Sequence, residues 1–192
     1  MDRSAFYRGE FAEHASVVEA TLAACEAPFG HLVEAAVAAV KGGGKILFFG
    51  NGGSAADAQH LATELTVRYV KDRAPIAAVA LTTDSSTLTA IGNDLGFDQL
   101  FARQVRALGR KGDLALGIST SGKSRNVILA LEAAREIGLS AAALGGNDGG
   151  QLKGLADPLI VVPSRITARI QEMHILLGQM LCGALERELG LV

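Results

Sequence analysis

The chain has 192 residues, 49% of them apolar, with 23 glycines, no tryptophan and a formal net charge of −2. That length suits one domain burying about 70% of its unfolded surface, with a composition unlike a disordered or fibrous protein. The near-neutral charge without a basic cluster argues against nucleic acid as a partner. No run of apolar residues approaches the 18 or more of a membrane span, and the start MDRSAFYRGEF lacks a signal-peptide core, so the expected location is the cytoplasm.

In chain order, Phe6, Phe11, Val18 and Leu22, then Leu32, Ala36 and Val40, fall at helical spacing. They predict two N-terminal helices split near Pro28, a helical extension over about residues 1–42 of a single domain spanning 1–192. Cys25 and the distant Cys182 lack metal-type spacing and fit two inert buried thiols in a reducing compartment. After the glycines at 42–44 the pattern switches. KILFFG, IAAVAL from Ile76, DLALGI from Asp113, LSAAAL from Leu139 and PLIVV from Pro158 read as buried strands with helical stretches between them. Such runs predict a three-layer α/β fold around a five-stranded parallel sheet, with the order 2-1-3-4-5 if the two glycine-rich loops are to face each other. A long amphipathic helix from about Arg165 to Leu189 closes the chain.

Two strands empty into small, polar loops that open helices: GNGGSAADAQH after the first and STSGKSRN after the third. Free N–H groups and the positive end of the helix dipole suit both loops to an anion. GISTSGKS, residues 117–124, also fits the nucleotide phosphate-loop pattern. That reading is set aside because no apolar run ends directly in an aspartate for magnesium, and because Gly117 lies within the strand. Two ordinary capped turns remain the plain alternative.

Along the helix after the first loop, His60, Glu64 and Arg68 are spaced i, i+4 and i+8 and share one face. An imidazole and a carboxylate so placed can share a divalent metal; Glu64 paired with Arg68 in a surface stripe is the other reading. Gln171, His174 and Gln179 are polar residues on a final helix otherwise built for burial. Gln171 and Gln179 stand roughly 12 Å apart along the axis, too far for one ion, so a neighbouring subunit completes each site if both serve one.

The four blocks GNGGSAADAQH, ALTTDSSTLTAIGND, GISTSGKS and ARIQEMH together resemble the phosphoheptose isomerases of the sugar-isomerase (SIS) superfamily, along nearly the whole chain. The resemblance implies a homotetramer with sites at subunit contacts. The implied reaction is conversion of sedoheptulose 7-phosphate into D-glycero-D-manno-heptose 7-phosphate through a cis-enediol, a step toward bacterial surface polysaccharide. It implies that Asn51, Gly52, Gly53, Asn93 and Asp94 contact the sugar, while Ser119, Thr120, Ser121 and Ser124 cradle its phosphate. Glu64 would be the base, and His60, Glu64 and Gln171 would be ligands of one Zn²⁺ per subunit, with Gln171 also near substrate. Lys123 would be incidental.

One position departs from the family. Gln179 stands where those isomerases have a histidine that is both zinc ligand and proton carrier, and an amide offers zinc an oxygen but carries no proton near neutral pH. His174 sits roughly 140° round the helix and is not its replacement. The expectation is weakened isomerase activity. The alternative is a non-catalytic SIS adaptor that binds the replication initiator, which SAADAQH and LCGALE also resemble, although such adaptors lack the glutamate retained here as Glu64.

Overall fold

The computed structural model describes all of residues 1–192. Five strands, β1 (Ile46–Gly50), β2 (Ala78–Ala80), β3 (Leu114–Ser119), β4 (Ser140–Gly146) and β5 (Leu159–Val162), form one parallel sheet in the order β2-β1-β3-β4-β5. β1 and β3 are buried along their whole length, which is why they read as unbroken apolar runs rather than alternating ones.

Alternate side chains of these strands feed two cores. Ile46, Phe48, Leu114, Leu116 and Ile118 face α1 (Arg3–Lys41), α2 (Gly53–Thr66) and α6 (Thr167–Glu188). Leu47, Phe49, Ala115 and Ala143 face α4 (Leu100–Leu108) and α5 (Arg125–Glu136), with α3 (Ser85–Asp94) contributing Ile91. The helices following β1 and β3, α2 and α5, therefore lie on opposite faces of the sheet. Their N-termini open side by side at its carboxyl edge, where open α/β sheets bind ligands.

α1 corrects the expected break at Pro28. It runs 39 residues without interruption from its cap Asp2, whose carboxylate accepts from the Ser4 and Ala5 N–H groups. Proline removes one helical bond, but Cys25 on one side of it and Leu32, Ala36 and Ala39 on the other are anchored in the same core, so packing holds the axis through the gap. The helix also contains an 18-residue window of mean hydropathy 1.2, long and apolar enough to cross a membrane by length and composition, which a search for unbroken apolar runs passes over. Only 22% of that window is buried; Cys25, Leu32, Ala36 and Ala39 of the helix join the core of Phe48, Met173 and Leu181, while Phe6, Tyr7, Phe11 and Leu22 stand exposed.

At the opposite edge of the sheet, Asp113 is 2% exposed and accepts from the Lys45 side chain, the Lys45 N–H and the Arg110 N–H. Burial pushes its carboxyl upward, but these hydrogen bonds outweigh it and hold the group below the ordinary carboxylate range. A carboxyl lowered in the folded state adds stability above its unfolded value near about pH 4, and that stability drains as pH falls through the folded value. Asp113→Asn should therefore cost about 1–3 kcal/mol at pH 7, and urea midpoints below about pH 4 should fall less for the variant than for the native chain. Parallel pH curves would contradict this anchor.

Candidate active site

The first turn begins where β1 runs out. Gly52, at φ +56°, turns the chain into α2, a conformation that a side-chain-bearing residue adopts only at a cost. Asn51 points across to the second turn, where its amide exchanges two hydrogen bonds with that of Asn126, of 2.9 and 2.8 Å. Asn126 is 2% exposed, so this pair is a buried strap between the start of α2 and the start of α5.

In the second turn, Ser119 ends β3 and its hydroxyl donates to that of Ser124 at 3.1 Å. Ser124 is the cap residue of α5, yet its side chain makes no capping bond. No turn or cap hydrogen bond is donated by the N–H groups of Ser121, Ser124, Arg125 or Asn126. Thr120 and Ser121 are half-buried on the same turn. Hydroxyls and open N–H groups at a helix N-terminus form a receptor for a phosphate dianion.

Farther along α2, His60 Nε2 lies 3.1 Å from Glu64 Oε1 and 3.4 Å from the amide of Gln179 on α6. A half-turn of that amide would present its oxygen instead of its nitrogen. Zinc bonds of about 2.0–2.2 Å place neighbouring tetrahedral ligand atoms about 3.4 Å apart. The spacing and chemistry of imidazole, carboxylate and amide oxygen thus fit a metal. The set holds only two of the usual strong donors, and nowhere do three His, Cys, Asp or Glu side chains converge. Gln171, the fourth expected ligand, rests on Gly53 two turns away along α6, so closely that a Cβ on Gly53 would meet its Nε2 at 2.5 Å.

Two contacts set the distance between α2 and α6. A Cβ on Gly178 would strike Leu61 at 2.5 Å, so the residue beside Gln179 must be small for the residue beside His60 to fit. Arg73 supplies the second contact. Its guanidinium donates to the Glu64 and Leu65 carbonyls at 2.8 and 2.7 Å and to Glu186 on α6 at 2.9 Å, with both charged side chains almost fully buried. α2 ends at Thr66, so Arg68 lies beyond the helix and the expected three-residue stripe stops at Glu64. The cation at this end is Arg73.

His174 is buried, with Nε2 bonded to the Gly145 carbonyl at 2.9 Å, and burial lowers its pKa to about 4 against that bond. It is neutral and faces the sheet, so it does not replace the missing histidine. Asn93 and Asp94 close α3, exposed and hydrogen-bonded to each other, and the chain does not draw them into the cluster. Sequence reasoning missed Asp57, one turn before His60. Its Oδ2 is buried without a partner, and desolvation pushes its carboxyl upward while the nearby His60 opposes this. Asn126 was missed too. Both residues lie near the starts of α2 and α5, Asn126 paired across the fold with Asn51 and Asp57 beside His60 on its own helix.

A family model of the SIS domain matches residues 10–146. The chain is 58% identical over 186 residues to the phosphoheptose isomerase of Paramagnetospirillum magneticum, covering 97% of each. Among solved structures it is similar to the phosphoheptose isomerase of Neisseria gonorrhoeae, with TM-score 0.90 and 46% identity over 96% of this chain and 98% of that one. That of Francisella tularensis gives 0.93 and 36% over 97% and 100%. None of these three is named an adaptor, and the initiator-binding alternative finds no support.

If the Asn51–Asn126 strap acts as a unit, Asn51→Ala and Asn126→Ala should each cost about 1–3 kcal/mol, and the double variant should cost clearly less than their sum. Urea denaturation of the four proteins measures this. Strictly additive losses would contradict a direct bond between the two turns.

Proposed function

Because the chain belongs to the SIS-domain family and within it to the phosphoheptose isomerases, we propose that it interconverts sedoheptulose 7-phosphate and D-glycero-D-manno-heptose 7-phosphate, with Glu64 as the proton carrier. The activity rests on 58% identity across 97% of both chains. The assignment of Glu64 rests on its position beside His60, which Gln179 approaches from α6, on the helix that the Asn51 turn opens.

The substrate is a 2-ketose and the product an aldose, so one proton must leave C1 and one must arrive at C2 on the same carbon frame. The phosphate seats on Ser119, Thr120, Ser121 and Ser124, where N–H groups stand open, and this fixes one end of the sugar. Asn51, Gly52 and Gly53 then lie along its body, with Gln171 against Gly53. The Glu64 carboxylate takes the C1 proton, electrons move to the C2 oxygen, and a cis-enediol results as that oxygen gains a proton from solvent water, which takes back the C1 hydroxyl proton in the second half. Return of the carried proton to C2, with loss of a proton from the C1 oxygen, gives the aldehyde. Gln179 can donate a hydrogen bond to a developing oxyanion but cannot move a proton, so one carboxylate does both transfers. Asn93 and Asp94 are the family's remaining sugar contacts and stand on an exposed helix end where a neighbouring copy or the ligand meets them.

When bound, a zinc ion on His60, Glu64 and the amide oxygen of Gln179 would supply a Lewis acid for the ketose carbonyl, and Gln171, two turns from Gln179, would complete that set only from a neighbouring subunit. A homotetramer and a cytoplasmic location belong to the same reading. An apolar groove between α1 and α6, lined by Leu22, Phe29, Leu176 and Met180, favours subunit contacts beside Gln179. The two free buried thiols fit a reducing compartment, burial pushing the Cys182 thiol up to about 12.

Glu64→Gln should lower kcat by roughly 10²–10⁴-fold, while Gln179→His should raise it; full native activity left unchanged by Gln179→Ala would refute the role given to that position. For the metal, calorimetry should show sedoheptulose 7-phosphate binding that weakens on chelation and recovers with zinc. Tight binding indifferent to chelator would remove zinc from the account.

A further inference from the structure

Lys123, left idle by the isomerase reading, lines a cleft of about 370 Å³ together with Ser121, Asn147, Asp148 and Arg165, with no apolar residue among them. The cleft opens beyond the ends of β3, β4 and β5, on the side of the phosphate turn away from Asn51 and Glu64. Neither Lys123 nor Arg165 has a carboxylate within 4.0 Å. Both are exposed, so two cations face one polar hollow in which the Asp148 carboxylate, within the field of Lys123, is the one anion.

The walls are held in place. Asn147 adopts φ +57°, rare for a residue with a side chain, fixed by its N–H donating to the Ser164 carbonyl and its amide donating to the Thr120 carbonyl. Those two bonds tie the phosphate turn to the loop that carries Arg165. Gly122 packs against Gly149 and Gly150, and the Gln151 N–H donates to the Gly122 carbonyl. Asp148, exposed at the cleft, accepts from the Gly150 N–H, and this bond before all else, with the charges of Lys123 and Lys153 adding to it, holds its carboxyl below the ordinary range. Ser121 belongs to both the turn and the cleft, so the two are contiguous.

We propose that Lys123 and Arg165 form a second phosphoryl subsite continuous with the phosphate turn, and that the two together bind a diphosphate group, one phosphoryl on Ser119 to Ser124 and the next between the two cations. The ligand class is a phosphoanhydride, and it excludes the sugar phosphate because it occupies the same turn. The proposal rests on the reading that this turn holds phosphate, and the experiment separates the two.

Inorganic phosphate and inorganic pyrophosphate are each titrated as competitors of sedoheptulose 7-phosphate, for the zinc-loaded native protein and for Lys123→Met/Arg165→Met. Native protein should bind pyrophosphate about tenfold or more tighter than phosphate, the factor one charge-assisted hydrogen bond supplies. In the variant that ratio should fall toward one while KM for the sugar holds. Metal stripping by pyrophosphate acts on both proteins alike, so the difference between them reads the cleft. An equal ratio in both proteins, or pyrophosphate no tighter than phosphate, overturns the subsite and leaves the turn's phosphate role standing. A variant whose sugar KM rises as much as its pyrophosphate constant also overturns it, because the cations then serve the substrate's own phosphate. If neither anion competes, the phosphate reading of the turn fails and the subsite with it.

Discussion

The site depends on how closely α2 and α6 approach. Gly178 has no side chain, so Leu61 can lie on the α6 backbone, and one residue along each helix His60 and Gln179 come within 3.4 Å. Any side chain at Gly178 would have to displace a fully buried leucine, and overpacked cores give way only by shifting backbone. The buried Arg73–Glu186 pair fastens the same two helices one turn beyond His60 on α2 and about two turns beyond Gln179 on α6, and it uses the carbonyl of Glu64 to do so. A buried pair of this kind contributes little net stability, but removing one partner is costly. Its value here is geometric, because it fixes the backbone position of Glu64, the carboxylate we propose as proton carrier.

The other end of the site is set by the sheet. With β1 and β3 adjacent and their helices on opposite faces, two helix N-termini point into one crevice, and no other pair of strands offers that. The Asn51–Asn126 strap then locks the two openings together. The two halves are thus joined twice, by the strap at the turns and by the α2–α6 packing behind them.

Much of this was legible in the sequence for a physical reason. A sheet buried on both faces writes its strands as unbroken apolar runs, and its two ligand turns announce themselves by glycine and serine, so the strands and both loops are readable, while the order 2-1-3-4-5 rests on the condition that those loops face each other and on the family resemblance. The i, i+4 spacing of His60 and Glu64 is equally local. What failed was tertiary in origin. Pro28 predicts a break that long-range packing of Cys25 and Leu32 overrides. The helical stripe to Arg68 fails because α2 ends at Thr66 and Arg73, from beyond it, takes the carbonyls. Asn126, Asp57 and Gly178 matter through partners 75, 3 and 117 positions away, and of these only the Asp57 spacing lies within reach of a local pattern.

The account stands on one sugar phosphate reaching from the β3–α5 turn to Glu64 within this crevice. A crystal structure of the zinc-loaded protein soaked with sedoheptulose 7-phosphate tests that directly. Density should place the phosphate against the hydroxyls and N–H groups of residues 119–126, and C1 and C2 within hydrogen-bond reach of the Glu64 carboxylate. A sugar bound with its phosphate elsewhere, or with its carbonyl end turned away from Glu64, would contradict the account at its centre.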